Sequence, residues 1–208
     1  PTSTVYVKVT STAGITDGEY LIVYEDAEGN PKAPVAFDGS LAPVKLDVAS
    51  NNIEVSIASN SIAGNTDIDA ATFTINTTAG TIQTKDGYYI GQTSNANGLA
   101  TSTTTEYTNT ISIENDGSAT IISSGGAYLR YNSANDNLRF RYFKSSTYTA
   151  QKAIALYKKA SSHTLTYGTC TNGSVSADVA DGATVLSGTT ITLSNIPTTD
   201  YKLSAYDV

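Results

Sequence analysis

One histidine, one cysteine and no tryptophan leave this sequence few side chains with which to do bond-breaking chemistry. A Ser-His-Asp arrangement needs a general base, and only His163 can serve, beside a stretch, Lys159-Ala160-Ser161-Ser162, that reads as a linker. Zinc needs three or four N and S ligands, and His163 and Cys170 have no companions at ligand spacing. Asn65-x-Asp67-x-Asp69 has the alternating oxygens that open a calcium loop, but the turn glycine and the distal bidentate glutamate are missing. Capping of a turn is its expected role. Glycoside hydrolysis needs two carboxylates at a set separation; the 19 acids offer no spacing that selects a pair. No catalytic residue, metal or cofactor is expected, and the chain reads as non-enzymatic.

The 14 tyrosines carry recognition chemistry instead. Tyr131, Asn132, Asn137 and Arg139 fall within one predicted hairpin. There an aromatic face could stack on a sugar ring while amide and guanidinium groups answer its hydroxyls. Tyr88 and Gln92 offer a second set, and these six are the expected ligand-binding residues. Arg139 and Arg141 alternate with Phe140 and, with Arg130, make the one concentrated positive patch. That patch could receive a carboxylate or pair with local Asp and Glu. Cys170, without a partner for a disulfide, reads as a small buried residue.

The elements that would position these residues repeat. Gly87-Tyr88-Tyr89-Ile90 is answered by Gly126-Ala127-Tyr128-Leu129, with Ile82 matching Ile121 and Leu99 matching Leu138, each 39 positions later. Phe73 and Ile75 match Ile111 and Ile113 at 38, and a third, divergent copy stands at Gly18-Glu19-Tyr20-Leu21. In this alignment Tyr20, Tyr89 and Tyr128 are equivalent and cover a rim, each preceding a core Leu or Ile. Such a repeat identifies the unit a fold is built from.

Within the repeats, residues alternate with period 2, as at Val5, Val7 and Val9, and no helical period is present. Asp17-Gly18, Asp38-Gly39, Asp86-Gly87, Asn97-Gly98, Asp116-Gly117 and Gly125-Gly126 supply turns between short predicted strands. Among those strands are Glu19 to Tyr24, Ile53 to Ile57, Thr81 to Thr84, Ala119 to Ser123, Tyr128 to Asn132 and Leu138 to Phe143. Four strands make a unit, and the third unit is split between Val5 to Val9 and Ala153 to Lys158. Pairing of first and last strands would close a barrel and remove exposed edges. The layout resembles the β-trefoil fold, interrupted by an insertion at Leu41 to Ala70 that amounts to about one extra hairpin.

Composition sets the surroundings. Charged residues are only 15% of the chain, and a net charge of −7 lacks the clustered cations that phosphate backbones require, so nucleic acid is not an expected partner. No apolar run reaches the roughly 20 residues that span a bilayer, so no membrane insertion is expected. A chain that begins at Pro1 and holds no Met reads as a processed or excised segment.

After Ser162 the composition shifts to Thr, Ser, Gly and Val, which sets a boundary between residues 1–160, all-β and trefoil-like, and 161–208, a partial β-sandwich or repeat module. Asn172-Gly173-Ser174-Val175 and Gly188-Thr189-Thr190-Ile191-Thr192-Leu193 resemble the divergent bacterial repeat related to internalin B-type repeats, here truncated at Tyr206-Asp207-Val208. The run Thr81 to Lys159, with Gly87-Tyr88-Tyr89-Ile90, Gly126-Ala127-Tyr128-Leu129-Arg130-Tyr131 and Ala153-Ile154-Ala155-Leu156-Tyr157, is similar to uncharacterised domains appended to secreted proteins of Bacteroidetes. That resemblance implies a secreted, periplasmic or cell-surface accessory module without catalytic residues. The expected function is non-catalytic carbohydrate binding, with a glycan or polysaccharide as partner. The alternative is a structural spacer or adhesion module that positions neighbouring domains and contacts protein.

Overall fold

The computed structural model describes residues 2–26, 28–29, 31–134, 137–145, 151–169 and 171–197. Cys170 and the proposed truncation at Tyr206 to Val208 lie outside them. The chain divides into two compact units, Thr4–Lys159 and a smaller one made of Ala160–Val208 with the first three residues.

Strands dominate the regular structure of the large unit. They are β1 (Thr2–Lys8), β2 (Gly18–Tyr24), β3 (Val35–Phe37), β4 (Asn52–Glu54), β5 (Ile57–Ala58), β6 (Ser61–Ala63), β7 (Phe73–Asn76) and β8 (Thr81–Thr84). Then follow β9 (Tyr89–Gly91), β10 (Ala100–Ser102), β11 (Asn109–Ile113), β12 (Ala119–Ser123), β13 (Tyr128–Asn132), β14 (Arg139–Phe143), β15 (Gln151–Lys152) and β16 (Ala155–Thr164). One sheet runs β10-β9-β8-β7-β2-β16-β1-β6-β5, with β3 joining β2 to β4; the other runs β11-β12-β13-β14, with β15 on β13. The first and last strands of the unit are neighbours, as expected, and Val9 donates to the Leu156 carbonyl at 2.8 Å. Single bridges at Gly98↔Tyr142 and Ala119↔Ile154 join the two sheets. Neither sheet closes on itself, so the fold class is all-β while a closed barrel is not established by the pairing.

The repeat is visible in the ladders. Gln83 pairs with Tyr89, and 39 residues on Ile122 pairs with Tyr128. The turns between them place Gly87 and Gly126 at φ of 85° and 86°, a backbone region that a side chain disfavours. The first strands of these units repeat at 36 and not at 38: Ile82 pairs with Ile75, whereas its equivalent Ile121 pairs with Ile111. Five residues connect β11 to β12 against four between β7 and β8, and the observed offset of 36 differs from the expected 38 by a slip of two. A two-residue slip keeps every side chain on its face, so alternation alone is blind to it.

The third copy departs further. Ile90 and Leu129 belong to one buried cluster, whereas Leu21 belongs to another, with Val23, Tyr6 and Tyr157. Tyr20 does not cover a rim; it is fully buried beside Ile22, and its hydroxyl donates to the Thr16 carbonyl and accepts from the Thr16 amide. Strand β2 is buried on both faces, so its apolar run Tyr20 to Tyr24 has no alternation from which to read a side.

What covers the second face of β2 is the insertion. Val55 from the link after β4, Ile62 from a β5–β6 hairpin whose turn residues Ser59 and Asn60 both have positive φ, and Ile68 from the helix α1 (Thr66–Ala70) pack there. The expected single strand Ile53 to Ile57 is broken at Val55-Ser56, and the expectation of no helix is corrected by α1. Five residues are too few to display a helical period. Through the main core runs a chain of rings, Tyr24 on Tyr131 at 4.5 Å, Tyr131 on Phe140 at 4.8 Å, Phe140 on Phe37 at 5.2 Å and Phe37 on Phe73 at 4.8 Å.

In the smaller unit, β17 (Gly173–Ala177) pairs with β19 (Leu193–Pro197), and β18 (Thr184–Leu186) pairs with Ser162 to Thr164 of β16. His163 lies opposite Val185 in that ladder. Asn172, at φ 63°, turns the chain into β17.

Candidate functional site

The hairpin expected to bind a ligand is formed by β13 and β14, with Tyr131 opposite Phe140 and Asn132 opposite Arg139. Its side chains are committed inward. Tyr131 has no exposed surface and stacks on Tyr24 at 17° between planes, which corrects its expected role as an open platform. Asn132 is buried as well; its Nδ2 donates to the Asn137 carbonyl at 3.0 Å and its Oδ1 accepts from the Ala134 amide at 3.3 Å, fastening the turn. The exposed Asn137 accepts from Arg139 at 2.6 Å.

Arg139 and Arg141 both reach Asp47 of the insertion, Arg141 Nε lying 2.8 Å from Asp47 Oδ1 and Arg139 donating to the Asp47 carbonyl at 3.0 Å. Asp47 Oδ2 also accepts from the Leu99 amide at 3.2 Å. The patch therefore pairs with a local acid, the second of the two roles its charge allowed. Arg130 lies over the Tyr128 ring at 5.1 Å. In the neighbouring unit, Tyr88 is half-buried, its carbonyl accepting from the Thr84 amide at 2.8 Å and its amide donating to the Thr84 hydroxyl at 3.1 Å, while Gln92 Oε1 accepts from the Thr93 amide at 2.9 Å. None of the six lines any of the three clefts described next.

The calcium-like motif has a structural use. Asn65 Oδ1 accepts from the amides of Asp67 and Ile68 at 3.0 Å and so caps α1, while Asp69 accepts from the Tyr6 hydroxyl at 2.7 Å. Among the described residues no three His, Cys, Asp or Glu side chains are grouped to hold a metal ion.

Three elements meet to form a cleft of about 390 Å³: Tyr24, Glu25 and Asp26 at the end of β2, Asp116 and Ser118 in the β11–β12 turn, and Lys152 of β15 with the Ala153 and Ile154 that follow it. Glu25 is fixed from behind by Lys8 at 2.7 Å and the Tyr157 hydroxyl at 2.6 Å, ties that hold β1 and β16 to β2. Burial first, then the Glu25 carboxylate, raise the Tyr157 hydroxyl above its ordinary range, so it stays a donor. Asp26 accepts from the Tyr24 hydroxyl at 3.2 Å and the Glu28 amide at 3.0 Å. Asp116 accepts from the Ser118 amide at 2.9 Å, and the Ser118 side chain and backbone hold its carboxyl below the ordinary range. The result is a fixed set of acceptors with one ammonium, Lys152, on the opposite wall.

Two further clefts are present. One of about 400 Å³ lies under the insertion between Asp38, Ser40, Glu54 and Asp67, and its Asp38 is engaged by Ser40 through amide and hydroxyl. One of about 180 Å³ lies between Thr12, Thr77, Gly80 and Asn109. Sequence reasoning missed the first cleft because its residues come from positions near 25, 117 and 153, and Asp116-Gly117 carried only a turn signal.

Comparison with protein-family models, with curated proteins and with solved structures found no match to this chain.

Proposed function

We propose that the large unit is a non-catalytic carbohydrate-binding module of a secreted or cell-surface bacterial protein, with its site in the cleft between β2, the β11–β12 turn and β15. The observation that carries this reading is the cleft itself. Its volume of about 390 Å³ falls in the range of small-molecule sites, and its lining offers carboxylates, a hydroxyl and an ammonium that can answer sugar hydroxyls. Asp116, whose carboxyl the Ser118 side chain and backbone hold below the ordinary range, is unsuited to act as a general acid, which supports the non-catalytic reading. Weak binding is the expectation for an open site, in the range of about 10 μM to 1 mM. A glycan array followed by titration tests it; no binding to any glycan at millimolar concentration would remove the reading.

We also infer a trefoil-like arrangement of the large unit. The recurrence of the Gln83↔Tyr89 pair as Ile122↔Tyr128 and the neighbouring of β1 and β16 support it. A second function is a spacer or adhesion module that positions neighbouring domains. The second, separately compact β unit favours it. Flanking sequence discriminates the two: a run of further β repeats supports a stalk, and a catalytic neighbour supports an accessory role.

A further inference from the structure

Strand β11 ends its sheet, and its outer edge is closed at two points and open between them. The Ser124 amide donates to the Thr108 carbonyl at 2.9 Å, which turns the backbone groups of Thr108, Thr110 and Ser112 toward β12 and those of Asn109, Ile111 and Ile113 away from it. Asn109 donates to the Gly80 carbonyl at 2.6 Å. Ile113 donates to the Thr12 hydroxyl at 2.9 Å, and that hydroxyl donates back to the Ile113 carbonyl at 3.4 Å. Between them the N–H and C=O of Ile111 have no hydrogen-bond partner among the described residues. In the preceding unit the equivalent Ile75 lies opposite Gly18 of β2, so the same edge is covered there.

The two groups of Ile111 face the cleft of about 180 Å³, because Thr12 and Gly80, which close the edge on either side, are also walls of that cleft. Other polar groups of the lining are engaged: the Thr77 amide and hydroxyl both donate to Asp17, and the Asn109 side chain serves Tyr142 and the Tyr107 carbonyl. No charged side chain lines the cleft among the described residues, while Ile15 and Ile111 supply apolar surface at the margin of the main core. A ligand therefore meets one donor and one acceptor, side by side, over an apolar floor.

Addition of a peptide strand needs alternate residues free along the edge, and Asn109 and Ile113 are already taken. Two neighbouring hydroxyls fit instead. Each is both donor and acceptor, so one can accept from the Ile111 N–H while the next donates to the Ile111 C=O. A pyranose ring carries such a pair and lays its C–H groups on Ile15 and Ile111. We propose that this cleft is a second saccharide subsite of the large unit, in which the Ile111 backbone takes two vicinal hydroxyls of a neutral pyranose. This inference rests on the carbohydrate-binding reading of the unit, and it adds a site separate from the cleft at Asp116 and Lys152.

The test begins with amide hydrogen exchange in the free protein. Ile111 should exchange faster than Asn109 and Ile113, and equal protection of the three would overturn the open edge. Methyl glucoside, methyl galactoside and methyl mannoside are then titrated at millimolar concentration, with N-acetylglycine N′-methylamide as a single-residue peptide probe. At least one glycoside should move the amide resonances of Thr12, Gly80 and Ile111 and slow the exchange of Ile111. Ile111→Pro removes the donor at an edge position where no ladder bond is lost, and against Ile111→Val, which keeps it, affinity should fall about three- to tenfold. If the glycosides move Ser118 and Lys152 but leave Ile111 unmoved, the inference fails and the first cleft stands as the sugar site. If they move neither set, the carbohydrate reading fails and takes the inference with it. A response to the peptide probe alone, or equal affinity of the proline and valine variants, also overturns the inference. Should the proline variant not fold, exchange of Ile111 in the parent with and without glycoside decides.

Discussion

Asn109 and Tyr142 form a buried polar pair whose removal can be read quantitatively. Both are buried, and the Tyr142 hydroxyl donates to Asn109 Oδ1 at 2.7 Å. Asn109 Nδ2 donates to the Tyr107 carbonyl at 3.1 Å, so the amide joins β14 to the segment before β11. By the observed register Asn109 occupies the place that Phe73 fills in the preceding unit. Asn109→Ala strands the tyrosine hydroxyl and leaves a small void, for about 2–4 kcal/mol. Tyr142→Phe strands only the amide oxygen, for about 1–2 kcal/mol. Because each single change leaves an orphan that the double change removes, the double variant should be less destabilised than the sum, by about 0.5–3 kcal/mol. Urea unfolding followed by far-ultraviolet circular dichroism measures all four proteins, and Asn109→Ala should lower the thermal midpoint by roughly 4–16 °C. Additivity within about 0.5 kcal/mol would refute the shared bond and the register that creates it.

Leu129→Ala should cost about 2–5 kcal/mol, since Leu129 is buried in the main core, against almost no change for the exposed Thr103→Ala; equal shifts in urea midpoint would overturn its placement. Asp47→Ala should cost about 1–3 kcal/mol by releasing Arg141 and the Leu99 amide, while Arg139 keeps its bond to the residue-47 carbonyl, yet leave glycan affinity unchanged in isothermal titration. Burial alone would raise the Glu19 carboxyl, but the Lys159 ammonium and the Thr72 hydroxyl outweigh it and hold the group below its ordinary 4.5. Its contribution is therefore present above pH 4.5 and lost as pH falls through the lower folded value. The stability gap between the parent and Glu19→Gln should shrink on acidification, and a gap constant with pH would count against the Lys159 tie.

The strands best foreseen are those with one face buried. β12 and β13 fall on Ala119–Ser123 and Tyr128–Asn132 as their alternation implies, because burial of one face prints period 2 on the sequence. Where both faces are buried the print is lost, and Leu21 was placed in the cluster that in fact holds Tyr20, Ile22 and Tyr24. The expected binding set misread its environment in the same way. Tyr131 and Asn132 have the composition of a surface platform, although Tyr131 belongs to the buried face of β13 and Arg139 is claimed by Asp47, 92 residues away.

What the sequence by itself determined is local: strand propensity, the glycine turns that need positive φ, the poverty in catalytic side chains and the recurrence of a unit, all set by a residue and its near neighbours. The tertiary structure decided which face each strand buries, that the insertion builds a second core with Val55, Ile62 and Ile68, and that Tyr24, Asp116 and Lys152 meet in one cleft. Those outcomes depend on which distant segments pack together, and a pattern of period 2 carries no record of the partner that a face will find.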